Sequence, residues 1–298
     1  MTEFQSAVFR WYRRSGRTLP WRGERDPYRI LVSEVMLQQT QVSRVLEKYS
    51  LFLSEFPTLH SLARARRSDV IRMWRGMGYN NRAVRLHRLA HTIVHTSGGT
   101  LPQTEKELMD LPGIGRYTAR AIMSSAFALP VPVVDVNIQR FFSRVFWSMR
   151  NLTDMRPLRD VEGHALKLFP PRNGYEWNQA LMDLGATVCT ARTPQCDACP
   201  VALQCRSRTG MKRVAPALKK REPSFYGVPE RIHRGRIIEH LRGLRNGHSL
   251  PLPQLGKAVL PHFSDRNMKW LRRVLGQLER DGLVRVRANG TVPMVRLA

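Results

Sequence analysis

The sequence predicts an all-α core followed by a small α+β domain of winged-helix type. Three observations lead there. Apolar residues recur at helical spacing through residues 1–205, with no strong strand alternation. A basic stretch poor in apolar residues, 206–227, carries Pro216 and Pro223 and reads as a linker. Beyond it, in 228–298, two helical patterns are followed by two apolar runs around Asn289-Gly290, a hairpin signal. At 298 residues, two domains are the first expectation.

Each element has its own pattern. Phe4, Val8, Trp11 and Tyr12 share one face of a first helix, and Leu62, Val70, Ile71 and Trp74 recur at helical spacing further on. Pro20, Pro27, Pro57, Pro102 and Pro112 punctuate the segments. In the tail, Ile237, Ile238, Leu241 and Leu244 line one side of a helix over 232–244. A second helix, 265–280, turns Trp270, Leu271, Val274, Leu275 and Leu278 inward, and strands over 283–286 and 292–297 flank the turn. Arg272, Arg273 and Arg280 on that helix form either a solvated face or a phosphate-contacting one.

Charge points to a partner. There are 49 Lys plus Arg against 23 Asp plus Glu, a formal net charge of +26, most of it Arg spread along the chain. Such a surface favours a polyanion, and nucleic acid is the commonest one. At 42% hydrophobic residues the chain is not a disordered basic tail. Apolar runs such as 129–134 are far short of a membrane span, and the N-terminus lacks a signal-peptide pattern. The expected location is cytoplasmic, nucleoid-associated in a bacterium, where disulfides are disfavoured.

All four cysteines, Cys189, Cys196, Cys199 and Cys205, fall in one stretch with spacers of six, two and five residues. A complete, compact set of this kind reads as one metal centre, either zinc or a 4Fe–4S cluster. Its expected role is to pin an irregular loop.

Upstream, Leu111-Pro112-Gly113-Ile114-Gly115-Arg116-Tyr117-Thr118 joins two helical stretches. Gly113 and Gly115, opening a helix, leave backbone N–H groups facing an anion. This is the helix–hairpin–helix pattern, which holds a DNA phosphate without reading sequence. Asp135 follows the apolar run Val131-Pro132-Val133-Val134. A partly buried carboxylate needs hydrogen bonds or a function to offset desolvation, and a helix N-cap is compatible with both.

The hairpin, the downstream aspartate and the cysteine spacing together resemble the iron–sulfur branch of the helix–hairpin–helix DNA glycosylases. Leu19-Pro20-Trp21-Arg22, Pro27-Tyr28, the run Ser33-Glu34-Val35-Met36-Leu37-Gln38-Gln39-Thr40-Gln41-Val42, Gly76-Met77-Gly78-Tyr79 and Asn178-Gln179-Ala180-Leu181-Met182-Asp183-Leu184-Gly185 resemble its MutY-type adenine glycosylases. The resemblance spans about residues 4–205, a glycosylase core with its cysteine loop over 189–205. It implies a two-lobe core, a base-flipping enzyme, a 4Fe–4S cluster on the four cysteines, and double-stranded DNA with a mispaired base as partner to a monomeric protein.

Residue by residue, the resemblance makes Glu34 the acid that protonates N7 of adenine. Asp135 becomes the carboxylate that stabilises the cationic sugar, the two-carboxylate logic of glycoside hydrolysis. Tyr117 and Asn137 stand beside that site. Trp21, Arg22 and Leu37 line the base pocket, while Gln39 and Tyr79 fill the opened stack. Tyr117 occupies the place of the lysine that forms a Schiff base in endonuclease III. A phenol forms no imine, so base excision without efficient strand cleavage is expected.

The chain departs from the pattern in three places. Val136 replaces the usual Gly after the aspartate, Asn80 replaces the second Tyr of the Gly-rich turn, and the tail replaces a Nudix-like domain. A thymine or uracil mismatch glycosylase is therefore the nearest rival, and a non-catalytic DNA-binding protein on the same scaffold is the third reading.

Overall fold

In the computed structural model, residues 1–209, 222–289 and 292–298 are described. The core is helical, and among the described residues no strand precedes Ser224. Its helices are α1 (Glu3–Ser15), α2 (Pro27–Leu37), α3 (Val42–Glu55), α4 (Leu59–Arg64), α5 (Arg67–Met73), α6 (Asn81–Ser97), α7 (Glu105–Met109), α8 (Arg116–Ser125), α9 (Val136–Trp147), α10 (Leu158–Lys167) and α11 (Gly174–Asp183). A π-turn, Leu184–Val188, continues α11. The tail adds β1 (Ser224–Phe225), β2 (Val228–Pro229), α12 (Glu230–Arg242), β3 (Leu250–Pro251), α13 (Leu252–Val259), α14 (Met268–Arg280), β4 (Val284–Asn289) and β5 (Val292–Leu297). None of the described helices is long and apolar enough to cross a membrane.

The chain divides into two compact units. The first takes residues 1–31, 102–110 and 114–209. Phe4, Val8 and Trp11 of α1 pack with Phe141 and Phe142 of α9 and with Trp177 and Leu181 of α11. Side chains start its helices. Thr2 and Gln5 form a reciprocal cap on α1, and Thr104 caps α7.

The second unit takes residues 32–101, 111–113, 222–289 and 292–298. Its tail has the strand and helix order of a winged helix. β3 pairs with β5, and β5 with β4, all antiparallel, from Val284 opposite Leu297 to Asn289 opposite Val292. The expected turn at Gly290 lies outside the described residues. Trp270, Leu271, Val274, Leu275 and Leu278 are buried, as their spacing predicts. They share one apolar cluster with Ile71 of α5 and Val84 of α6.

Four tail elements, β1, β2, β3 and α13, have no counterpart in the sequence reading. β3 and the start of α13 fall in Leu250-Pro251-Leu252-Pro253, where prolines mask strand and helix patterns, yet Pro253 sits in the first turn of α13, where a missing N–H costs nothing. Of the stretch read as a linker, Ser207 donates to Arg144 O at 2.7 Å, and Ser224–Phe225 pair with Val228–Pro229.

Candidate active site

Asp135 ends an extended segment held by one buried amide. Asn178 accepts from Val133 N–H at 3.1 Å and donates to Val131 O and Ser124 Oγ, each at 2.9 Å. Asp135 then caps α9. Its Oδ1 accepts from Ile138 N–H at 2.7 Å, and its Oδ2 accepts from the Asn137 amide at 2.6 Å. Asn137 Oδ1 takes a 3.1 Å bond from Arg140, which also donates to Gly185 O at 2.6 Å and Cys189 O at 3.0 Å. The π-turn brings Gly185 so close that a Cβ there would sit 2.9 Å from Asn137 Cβ. Val136 points outward, 58% exposed.

Glu34 lies in the second unit, on the last turns of α2, half-buried between buried Ser33 and Val35. Leu37 ends that helix, also half-buried. One residue absent from the sequence reading organises this region. Buried Arg82 donates to Val35 O and Met36 O at 2.9 Å each and to Gln38 O at 2.5 Å. It also donates to Thr40 Oγ1 at 2.8 Å, Met77 O at 3.0 Å and Gly78 O at 3.2 Å. One guanidinium thus satisfies the open carbonyls at the end of α2 and ties together the two loops that carry Gln39 and Tyr79. Burial pushes its pKa down to about 10. Gln39 and Tyr79 both have left-handed backbones, φ 54° and 43°. Such strain in non-glycine residues concentrates at functional sites. Both line one cavity of 580 Å³, and Tyr79 is 59% exposed.

In the hairpin, Gly113 has φ 88°, a conformation other residues resist. Gly115 starts α8 with no side-chain cap, and nothing lies within 4 Å of where its Cβ would be. Tyr117 follows, half-buried in the first turn of α8. Arg116 and Arg120 each bridge Glu105 of α7 and Glu162 of α10 at 2.7 to 3.1 Å, which stiffens the helix pair.

Trp21 is buried, at 9% exposure. The Arg22 guanidinium grips both oxygens of Asp183 at 2.6 and 2.7 Å, and Arg17 adds further bonds to the same carboxylate. Its charge is thus committed to an ion pair.

The four cysteines line one cavity, with Phe141, Val145 and Arg144 beside them. Among the described residues no group of three or more His, Cys, Asp or Glu side chains converges to hold a single metal ion. A four-iron cube makes a different demand, because each thiolate binds its own corner and the ligands stand around a cavity rather than at a point. Burial pushes the Cys196 and Cys205 thiols up, and Cys199 up to about 11. Buried Arg144 lies 3.3 Å from Cys189 Sγ, a cation placed beside sulfurs that would carry negative charge.

Residues 32–170 match the pattern of the HhH-GPD superfamily of base excision DNA repair proteins. The chain is 41% identical over 217 residues to the adenine DNA glycosylase of Homo sapiens, covering 70% of this chain and 40% of that one. It is 37% identical over 281 residues to the adenine DNA glycosylase of Mycolicibacterium smegmatis, covering 94% of this chain and 92% of that one. A solved thermostable thymine-DNA glycosylase superposes with a TM-score of 0.64 at 29% identity, covering 69% of this chain and 94% of that one. The chain therefore spans less than half of the human relative and nearly all of the Mycolicibacterium one. On these matches, and on the helical core they share, the chain belongs to the adenine DNA glycosylase family of the HhH-GPD superfamily.

Proposed function

We propose that the protein removes adenine mispaired with guanine or 8-oxoguanine from double-stranded DNA, hydrolysing the N-glycosidic bond without efficient strand cleavage. The observation that carries this reading is the match to an adenine DNA glycosylase across 92% of that relative's length. Glu34 delivers a proton to N7 of the flipped adenine, which makes the base a good leaving group. Asp135 faces the cationic sugar as the C1′–N9 bond breaks, and it positions the incoming water. Both of its oxygens accept hydrogen bonds at the N-terminus of α9, a setting that suits an anion opposing developing positive charge. Tyr117 has no amine, so no Schiff base links enzyme to sugar. Trp21, Arg22 and Leu37 line the pocket, Gln39 and Tyr79 fill the opened stack, and the Gly113 to Gly115 turn takes a backbone phosphate.

Cys189, Cys196, Cys199 and Cys205 would hold a 4Fe–4S cluster, which supplies an inorganic pin for residues 189–205. Natively purified protein should carry about four irons and be brown; stoichiometric zinc without iron would refute this.

A thymine or uracil glycosylase is the second reading, favoured by the 0.64 TM-score to a thymine-DNA glycosylase. Duplexes carrying A·8-oxoG, A·G, T·G or U·G, incubated with enzyme and then treated with hot alkali, separate the readings. Breaks at adenine that appear only after alkali support the proposal. Breaks at thymine or uracil favour the second reading, and no breaks at all would leave a non-catalytic DNA-binding protein.

A further inference from the structure

The second unit holds a cavity of 440 Å³ apart from every residue assigned above. Arg66 and Arg67 line it from the start of α5, Arg72 from that helix's last turn, and Arg285 and Arg296 from β4 and β5. No Asp or Glu side chain is in that lining. Arg72 is oriented by Asn246 Oδ1 at 3.0 Å. Among the described residues, the other four guanidinium groups have no carboxylate at ion-pair distance. The neighbouring Glu279 already accepts from Val286 N–H at 2.8 Å.

Two of these arginines carry an uncompensated cost. Arg67 Nε and Arg296 Nε are buried and without a hydrogen-bond partner, and so is Nδ1 of His87, which also lines the cavity. The His87 Nε2–H donates to Ala65 O at 3.0 Å, which fixes the ring. Burial, with Arg88 and Arg285 nearby, pushes the Arg67 guanidinium down from its ordinary value. Gathering like charges and desolvating some of them is unfavourable unless a counter-charge offsets it. Among the described residues no Asp or Glu side chain pairs with these four guanidinium groups; Asp69 of α5 accepts instead from the Asn246 amide at 2.8 Å. What fits is an anion with several oxygens, because planar guanidinium forks meet phosphate oxygens in pairs. The space is also larger than a halide requires.

We propose that this cavity is a phosphate site, half of it contributed by the tail, which takes either a phosphodiester of a bound duplex or a free phosphorylated anion. The site does not depend on the glycosylase reading, so excision assays can fail or succeed without touching it.

The test compares full-length protein with Arg66→Gln/Arg285→Gln, both exposed positions, and with Arg285→Gln alone in case the pair folds poorly. A control, Arg10→Gln/Arg159→Gln, removes two exposed arginines elsewhere. Sodium pyrophosphate is titrated calorimetrically, and an unlesioned duplex is bound across a chloride series. Loss of charge-assisted hydrogen bonds should weaken pyrophosphate about 10-fold or more. Each lost phosphate contact should flatten the plot of log affinity against log salt by about 0.9. A flatter slope assigns the site to the duplex backbone, whereas weaker pyrophosphate with an unchanged slope assigns it to a free anion. The proposal is overturned if a folded cavity variant changes neither quantity, or if the control changes them equally.

Discussion

Asp135 and Asp183 are both aspartates at helix ends, and their partners give them opposite uses. Asp183 has a side chain with no exposure and is held by Arg22 and Arg17. Burial alone would raise its pKa, but those hydrogen bonds outweigh it and hold the carboxyl below the usual range. A depressed folded value means stability that is present above the unfolded pKa of about 3.9 and is lost as pH falls through the folded value. Asp183→Asn should therefore cost about 3–5 kcal/mol in denaturant unfolding at neutral pH, and the difference from wild type should shrink below about pH 4. Asp135 is half-buried, with an amide and a backbone N–H as partners. With Glu34 it forms the proposed catalytic pair. Glu34→Gln keeps shape but removes the proton, so single-turnover excision should fall about 10²–10⁴-fold while duplex binding stays near wild type; near-normal excision would end the assignment. Asp135 was legible because a carboxylate between an apolar run and a helix start is a local signal. Arg82 was not, since its acceptors on α2 and the following loop lie 42 to 47 positions away and most are backbone carbonyls. The ion pair of Arg22 was not legible either, because its partner Asp183 stands 161 positions on.

Among the elements, the helical core was readable because each helix buries one face against another, which leaves a 3.6-residue period in the sequence. The π-turn after α11 left no such period, yet it sets the approach of Gly185 to Asn137. Gly185→Ala would place a Cβ 3.0 Å from Asn137 backbone atoms as well as 2.9 Å from its Cβ. Backbone does not yield as a flexible side chain would, so a cost of about 1–3 kcal/mol is expected. Because Asn137 donates to Asp135, excision should slow as well. A thermal melt and a single-turnover assay check both halves, and a variant that matches wild type in each would mean that the π-turn does not position Asp135. β3 and α13 stayed hidden for a different reason. Two residues of strand and a proline-started helix are fixed by pairing with β5, a partner distant in sequence.

At the scale of the molecule, the charge of +26 and the tail have to be considered together. The tail's second helix was readable as amphipathic, but the sequence could not show what its apolar face met beyond the tail itself. Ile71 and Val84, at 0% and 2% exposure, belong to the same cluster as Ile237, Leu241 and Leu275. Arg242 of α12 donates to Ile71 O at 3.0 Å and Asn80 Oδ1 at 2.7 Å, and Arg72 donates to Arg242 O. A chain ending at residue 209 would lose these bonds and expose apolar side chains each worth about 1.5–3 kcal/mol when buried. Such a truncation should unfold at a denaturant midpoint well below that of the full chain and should bind apolar dyes. An equal midpoint would show that the tail is a separate module. The expected instability also decides how DNA binding by the tail must be tested. A truncated protein that binds duplex weakly has lost fold as well as contacts. Only charge-removing substitutions at exposed tail positions, such as Arg272→Gln or Arg280→Gln, isolate a phosphate contact. Arg273 is a poorer choice, because it already pairs with Glu230 at 2.5 Å. A flattened salt dependence in an equally stable Arg272→Gln/Arg280→Gln protein would make α14 a DNA-contacting face, and an unchanged slope would leave it as a solvated one.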